Sequence, residues 1–257
     1  MPLWMEYRMS SKKERLDKLI VERGLAPSRE RARALVMAGM VVVDDHLAEK
    51  PGTSIAVTAT IRLKGEVHPY VSRGGMKLAK ALEEFEIDVA GMAVMDVGAS
   101  TGGFTDCVLQ RGARRVFAVD VGYGQLAWKL RQDPRVVNLE KTNIRYLTAD
   151  ALPEVPHMAV VDASFISLGK VLPAVVALIA DGGGIVALIK PQFEVGRGEV
   201  GKGGVVRDSG QHKKVIDAIH ALADELGLDA RGVTESPIQG PKGNREFLIF
   251  LQKKKKL

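Results

Sequence analysis

The 257-residue chain has a single cysteine, Cys107. One thiol cannot close an intrachain disulfide, so a reducing compartment is expected, and the protein is expected in the cytoplasm. Cys107 follows a glycine-rich turn in a helical stretch and reads as a small buried hydrophobe rather than a reactive thiol. No apolar run approaches the ~18–20 residues of a membrane span. The opening Met-Pro-Leu-Trp-Met-Glu-Tyr-Arg has no signal-peptide core. The five histidines show no metal-ligand spacing, so no metal is expected. The glycine-rich loop from Asp96 to Phe104 has no Walker lysine and does not spell the dinucleotide pattern G-x-G-x-x-G. What is present is ordinary for a soluble globular protein: hydrophobic residues at 46% can support a sizeable core. Lys and Arg number 37 against 31 acids, giving +6 and a pI near 9.4. That excess favours a polyanionic partner.

Residues 12–64 read as a compact basic module. Leu16, Leu19 and Ile20 recur at helical spacing between Arg15 and Glu22, and Gly24 suits the helix end. Ser28 is the expected N-cap of a second helix, with Arg31 at N3, an apolar face of Ala32, Leu35 and Val36, and Gly39 as its stop. Met40 to Asp45 predicts strand and turn, and stretches 55–58 and 60–63 predict further short strands. Between residues 12 and 35, eight basic residues stand against four acids. Arg29 and Arg33, four apart, share a helix face. An ion-paired solvated face and a nucleic-acid docking face are both open on this evidence. A core this small is marginal by itself.

Residues 65–75 read as a linker carrying Gly65, Pro69, Gly74 and Gly75, and residues 76–252 as a second domain. A helix is expected from Arg73 to Phe85, with Lys77 on its first turn. From Val94 onward short apolar runs alternate with helical stretches, and the tail carries two strands expected to pair antiparallel. Continuous apolar strands with interleaved helices predict an α/β fold with a mostly parallel, doubly wound sheet.

Asp96-Val-Gly98-Ala-Ser-Thr-Gly102-Gly103-Phe104 lies between the first of those strands and its helix. Glycines there let the backbone turn tightly and approach a ligand closely. Asp120 ends the next strand, where a carboxylate can accept from both hydroxyls of a ribose. Asp96 suits a neighbouring sulfonium or amino group. The set suggests S-adenosylmethionine; a tight turn with two solvated acids and a variant NAD site are the alternatives. Asp162 and Lys190 each end an apolar run, and ligands in open α/β sheets bind at such strand ends.

Two resemblances build on these residues. Arg15-Leu-Asp-Lys-Leu, Ser28-Arg-Glu-Arg-Ala-Arg-Ala-Leu and Gly39-Met-Val-Val-Val-Asp resemble the RNA-binding fold named after small-subunit ribosomal protein S-four. The order Lys77, Asp162, Lys190, Glu246 resembles the K-D-K-E set of FtsJ-type ribose 2′-O-methyltransferases. With Val71-Ser-Arg-Gly-Gly-Met-Lys-Leu, Asp162-Ala-Ser-Phe-Ile-Ser-Leu, Ile189-Lys-Pro-Gln-Phe-Glu and Gly203-Gly-Val-Val-Arg-Asp in the same order, the chain from about 12 to 251 resembles the TlyA family. Members are often labelled hemolysins and are rRNA 2′-O-methyltransferases. Asn143-Ile-Arg departs from the small residues common there.

The resemblance implies a Rossmann-like S-adenosylmethionine-dependent methyltransferase with a seven-stranded, mostly parallel sheet behind a small α+β RNA-binding domain. It implies cofactor contacts by Asp96, Gly98, Ala99, Ser100, Thr101, Gly102, Gly103, Phe104, Asp120, Val121, Asn143 and Asp162. RNA contacts would come from Lys12, Arg15, Lys18, Arg29, Arg33 and Arg73, with ribosomal RNA or a ribosomal subunit as partner. Lys190 would be the base, Lys77 would help keep it partly neutral by like-charge repulsion, and Asp162 and Glu246 would position the lysines and the hydroxyl. The glycine-rich stretch 191–207 reads as a lid ordered by RNA, with Phe193 either a base-stacking ring or an anchor beneath the loop. The lysines from 253 to 256 read as a solvated tail. An RNA-binding protein with an inactive methyltransferase domain, and a membrane-lytic hemolysin, are the competing functions.

Overall fold

The computed structural model describes residues 12–44, 46–64, 69–196, 198–201 and 203–255. The chain divides into two compact units, residues 1–67 and 68–257.

In the first unit, β1 (Lys13–Arg15) runs directly into α1 (Leu16–Glu22). Then come α2 (Arg29–Met37), β2 (Val41–Val43), β3 (His46–Leu47), β4 (Ser54–Ala56) and β5 (Ile61–Leu63). Ser28 caps α2 as its position predicts: its Oγ accepts the Arg31 N–H at 3.2 Å. The apolar faces of the two helices, Leu16, Leu19 and Ile20 against Ala32, Leu35 and Val36, form one core. β2 is the centre of the sheet β3-β2-β5, while β1 pairs antiparallel with β4. Residues 13–15 are too polar to announce a strand. They become one because β4 offers an edge, with Arg15 opposite Ser54.

The second unit opens on α3 (Gly74–Glu84), so the last two residues of the expected linker are already helical. It continues through β6 (Ala93–Val97), α4 (Gly103–Gln110), β7 (Arg115–Val119), α5 (Trp128–Arg131), β8 (Val136–Leu139), β9 (Met158–Val161) and α6 (Leu168–Leu178). It ends with β10 (Gly184–Ile189), α7 (Pro191–Glu194), α8 (Ser209–Glu225), β11 (Leu228–Glu235) and β12 (Phe247–Lys253). The seven strands stand in the order β11-β12-β10-β9-β6-β7-β8. β12 is antiparallel to both neighbours, and the remaining pairs are parallel. The chain moves outward from β6 to β8, then returns to place β9 on the other side of β6. Strand order therefore reverses between β6 and β9, the crevice where such sheets bind ligands.

One sheet face packs α6 and α8 through Leu168, Leu172, Val215 and Ile219. The other packs α3 and α4 through Leu78, Leu82, Phe104 and Cys107. Cys107 is buried, and burial pushes its thiol up to about 11, in keeping with a structural role. Lys253 is not part of a solvated tail. Its Nζ donates to the carbonyls of Val176 and Ile179 at 3.0 and 2.9 Å, closing the C-terminal end of α6. No helix among the described residues is long and apolar enough to cross a membrane.

Candidate active site

The site grows from the carboxyl ends of β6, β7, β9 and β10. After β6 the chain turns at Gly98, whose φ is 85°. A Cβ at Gly98 would lie 2.8 Å from the carbonyl oxygen of Asp162, so only glycine lets this loop meet the end of β9. At Gly103, the first residue of α4, a Cβ would overlap Ser72 Oγ and press on Gly75 N. The glycine loop thus seats the segment that leads into α3 and Lys77.

Two clefts meet at this loop. One, about 260 Å³, is lined by Lys77, Asp162, Lys190 and Glu246, with Ser72 and Arg73 at its edge. The other, about 480 Å³, is bordered by Asp120, Val121 and Asn143. Gly98, Ser100, Asp162 and Ser164 line both. The four residues that the sequence scatters over 170 positions are therefore neighbours in space.

Their pairing is specific. Lys77 Nζ donates to Glu246 Oε2 at 2.5 Å, and both side chains are buried. Lys190 Nζ lies 2.5 Å from Asp162 Oδ1, donates to Ser164 Oγ at 2.7 Å and reaches the Asp162 carbonyl at 3.3 Å. The four residues thus form two ammonium–carboxylate pairs that line one cleft. Glu246 Oε1 is buried without a hydrogen-bond partner among the described residues. A Cβ on Gly240 would overlap that oxygen.

The cofactor-binding expectations separate into two layers. Asp120 is held facing the larger cleft: its Oδ2 accepts the Ser100 N–H and its Oδ1 the Gly122 N–H, both at 2.7 Å. Each oxygen keeps a lone pair for a ligand hydroxyl. Ala99, Ser100, Thr101, Gly103 and Phe104 line the smaller cleft. Gly102 lines neither; a Cβ there would run into Leu126 and Leu130, so it serves packing. Asp96 is set back from both clefts. It is fully buried beneath the loop and lines neither cleft. Thr105 Oγ1 donates to its Oδ2 at 2.6 Å, and its Oδ1 has no partner among the described residues. Burial pushes its carboxyl up to about 7, against the Thr105 hydrogen bond and with help from Asp162 and Asp120.

Sequence reasoning missed Ser72, Ser164 and Phe165. Phe165 is 89% exposed, with φ at 63° and its ring 5.1 Å from that of Phe193. Phe193 is partly buried. The signal for Ser164 and Phe165 was their place directly after Asp162. The end of the glycine-rich stretch is fixed: Asn244 Oδ1 accepts the Val206 N–H at 3.1 Å, and His212 Nε2 lies 2.9 Å from the Val206 carbonyl.

In the first unit, Asp17 is fully buried at the start of α1. It accepts from Arg15 Nε at 3.0 Å, Arg29 Nη2 at 3.1 Å and Arg33 Nε at 3.2 Å. Hydrogen bonding by Arg15, then Arg33 and Arg29, outweighs desolvation and holds this carboxyl far below the usual range. The three guanidinium side chains stay 46–52% exposed. One acid therefore gathers three cations and leaves net positive charge on the surface. Lys18 is ion-paired with Glu14 and Glu22, and Lys12 is exposed. Arg73 lies in the second unit, at the mouth of the smaller cleft. Among the described residues no cluster of His, Cys, Asp and Glu could hold a metal ion.

The chain is similar to known proteins over most of its length. Residues 70–253 match the FtsJ-like methyltransferase family, and residues 14–61 match the S4 domain. The 16S/23S rRNA (cytidine-2′-O)-methyltransferase TlyA of Mycobacterium tuberculosis is 49% identical over 94% of this chain and 91% of its own length. Hemolysin A of Brachyspira hyodysenteriae is 40% identical over 91% of this chain and 98% of its own. A solved structure of a protein called a hemolysin, from Streptococcus thermophilus, superimposes with a TM-score of 0.75 at 48% identity, covering 95% of this chain and 90% of that one. The chain belongs to the TlyA family of FtsJ-like methyltransferases that carry an S4 domain.

Proposed function

We propose that this protein transfers a methyl group from S-adenosylmethionine to a ribose 2′-hydroxyl of ribosomal RNA. Residues 12–64 would dock the RNA, 65–75 link the parts, and 76–252 hold the cofactor and the chemistry. The observation that carries the reading is the gathering of Lys77, Asp162, Lys190 and Glu246 in a cleft that opens onto the one bordered by Asp120. The names of the relatives make rRNA the substrate class, and cytidine the nucleoside to look for first.

The residues of the larger cleft fit the cofactor. Asp120 presents two anchored oxygens to ribose hydroxyls, Val121 and Asn143 flank it, and the backbone of residues 98–104 closes the side toward Lys190. When bound, S-adenosylmethionine supplies an electrophilic methyl group. The chain must then hold a 2′-hydroxyl in line with that methyl and remove its proton. Lys190 is the base: in its deprotonated form Nζ takes the hydroxyl proton where the two clefts meet. Asp162 fixes the direction of Nζ, and the Lys77–Glu246 pair forms the opposite polar wall against which the ribose is set. Arg15, Arg29 and Arg33, gathered on Asp17, supply phosphate contacts with Lys12 and Lys18, and Arg73 does so at the cleft mouth. Such a protein works in the cytoplasm.

The test is methyl transfer from labelled cofactor to ribosomal subunits taken from cells lacking the gene, followed by mass mapping of 2′-O-methyl nucleotides. A new ribose methyl with the wild-type chain, absent with Lys190→Ala, is the expected result. Label on a base, or none on rRNA, overturns the proposal.

A further inference from the structure

We infer that Ser164 is a positioning residue for Lys190, holding the ammonium at the junction of the two clefts until the substrate hydroxyl takes its place. The inference rests on the methyltransferase reading above and adds a residue to it.

An ammonium has three N–H donors. In this structure Nζ donates to Ser164 Oγ at 2.7 Å and to the Asp162 carbonyl at 3.3 Å, and it stands in ion-pair contact with Asp162 Oδ1 at 2.5 Å. The two Asp162 contacts come from the strand end itself and leave little choice of position. Of the two hydrogen-bond acceptors, Ser164 Oγ is the one whose residue can be replaced without removing the carboxylate. It is also a hydroxyl, and it lines both clefts. A hydroxyl that accepts from an ammonium keeps its own O–H to donate elsewhere. Ser164 therefore presents to Lys190 the same chemistry that a ribose hydroxyl would bring, at the point where that hydroxyl has to arrive.

The loop that carries Ser164 is fixed to the segment that carries Lys190. Glu194, four residues after Lys190, accepts the Ser167 hydroxyl at 2.6 Å and the Leu168 N–H at 2.8 Å. Phe193 stacks obliquely on Phe165, whose left-handed backbone (φ 63°) turns the loop back on itself. Together with the Lys190–Ser164 bond, these contacts join residues 162–168 to residues 190–194 at three points. An incidental surface serine has no such support. The charged groups that share the cleft with Lys190 are Asp162 from the end of β9, Lys77 from α3, Arg73 from the turn before it, and Glu246 next to β12. Asp96 of β6 is buried behind the loop, and Glu194 of α7 is engaged by Ser167 and Leu168. Ser164 is uncharged, so replacing it changes none of these charges.

The sign of the effect follows. An acceptor aimed at an ammonium favours the charged form. Removing it with Ser164→Ala favours the neutral base and loosens its position. Single-turnover methylation of ribosomal subunits by the full chain, at saturating cofactor and followed across pH, should show two changes together. The plateau rate should fall on the order of tenfold, from misplacement. The rising limb of the profile should move to lower pH by roughly half to one unit. The melting temperature should stay as in wild type, cofactor is kept saturating in every variant because Ser164 also lines the larger cleft, and Ser164→Thr should restore both rate and profile. A fall in rate with no movement of the limb would reduce Ser164 to packing and overturn the inference. So would wild-type behaviour of Ser164→Ala, or a folded, cofactor-binding Ser164→Thr that behaves like the alanine variant. If the wild-type chain itself transfers no methyl group, the failure lies with the methyltransferase reading, and the Ser164 assignment falls with it.

Discussion

Lys77 Nζ and Glu246 Oε2 stand 2.5 Å apart, although 169 positions separate the two residues in the chain. The pair joins α3, near the start of the second unit, to the residue just before β12, the last strand in sequence. Both partners are buried, so each depends on the other for compensation. Removing one leaves an uncompensated buried charge. Lys77→Ala and Glu246→Ala should each lose about 3–5 kcal/mol in urea unfolding. Lys77→Met combined with Glu246→Leu should recover most of that stability and still transfer no methyl group. Recovery of turnover along with stability would show that the pair is only structural.

Asp120 has a different kind of neighbour: the backbone N–H groups of Ser100 and Gly122, one on each oxygen. Its carboxylate is set before any ligand arrives. Asp120→Ala should weaken S-adenosylmethionine binding by roughly 1–3 kcal/mol in calorimetry, the scale of a lost hydrogen bond to a charged group. Unchanged affinity in a folded variant would remove Asp120 from the cofactor site.

In the first unit, Asp17 holds Arg15, Arg29 and Arg33 together, and its carboxyl lies far below the ordinary range. A depressed carboxyl contributes stability above its unfolded value, near 3.8, and that contribution is lost as pH falls toward the folded value. The protection factors of the α1 and α2 amides, that is, exchange relative to the intrinsic rate at each pH, should accordingly fall at acid pH in the wild type. Asp17→Asn should exchange faster at neutral pH and show a weaker acid dependence. The reversal Arg29→Glu with Arg33→Glu should weaken RNA binding and flatten its salt dependence, because fewer counterions are released, while cofactor affinity stays the same. Untouched RNA affinity would mean that this cluster is not the docking surface.

Asp96 titrates the other way. Its carboxyl is raised from an ordinary 3.8 to about 7, first by burial. A raised acid contributes stability at low pH that is lost as pH rises from about 4 through about 7. Asp96→Asn cannot ionise and should melt higher than wild type above pH 7, with the difference shrinking as pH is lowered toward 4. A difference independent of pH would show that the carboxyl does not change charge in that window.

Much of this molecule was legible in its sequence, and the limits have physical causes. Apolar runs such as Gly184 to Ile189 predict buried strands because both of their faces lie under helices. Ser28 and Gly24 punctuate helices through local chemistry that a sequence displays directly. The residues around Lys77, Asp162, Lys190 and Glu246 stand out one by one, but which lysine takes which carboxylate is decided by how β10, β12 and α3 pack. No local pattern encodes that. Asp17 is similar: the sequence shows three arginines and an acid, and only the fold shows that one buried carboxylate serves them all. Lys190–Ser164 and Phe165–Phe193 join two loops that are neighbours only because β9 and β10 pair. β1 and β3 are too short and polar to carry a periodic signal.

The sharpest test of the chemistry is Lys190→Arg. Lys190 directly follows β10 and stands 2.5 Å from Asp162, so an arginine keeps the positive charge and can keep that pairing. It cannot give up its proton near neutral pH, and so cannot act as the base. Cofactor affinity by calorimetry and RNA affinity by filter binding should stay close to wild type. Single-turnover methylation should fall by about 10²–10⁴, the range of a lost general base. Lys190→Ala should be at least as slow, since it also leaves Asp162 without its partner. If Lys190→Arg turns over near the wild-type rate, the residue supplies charge alone. The base would then have to be another group in the cleft, with Lys77 the first to examine, because it is the other lysine that lines it.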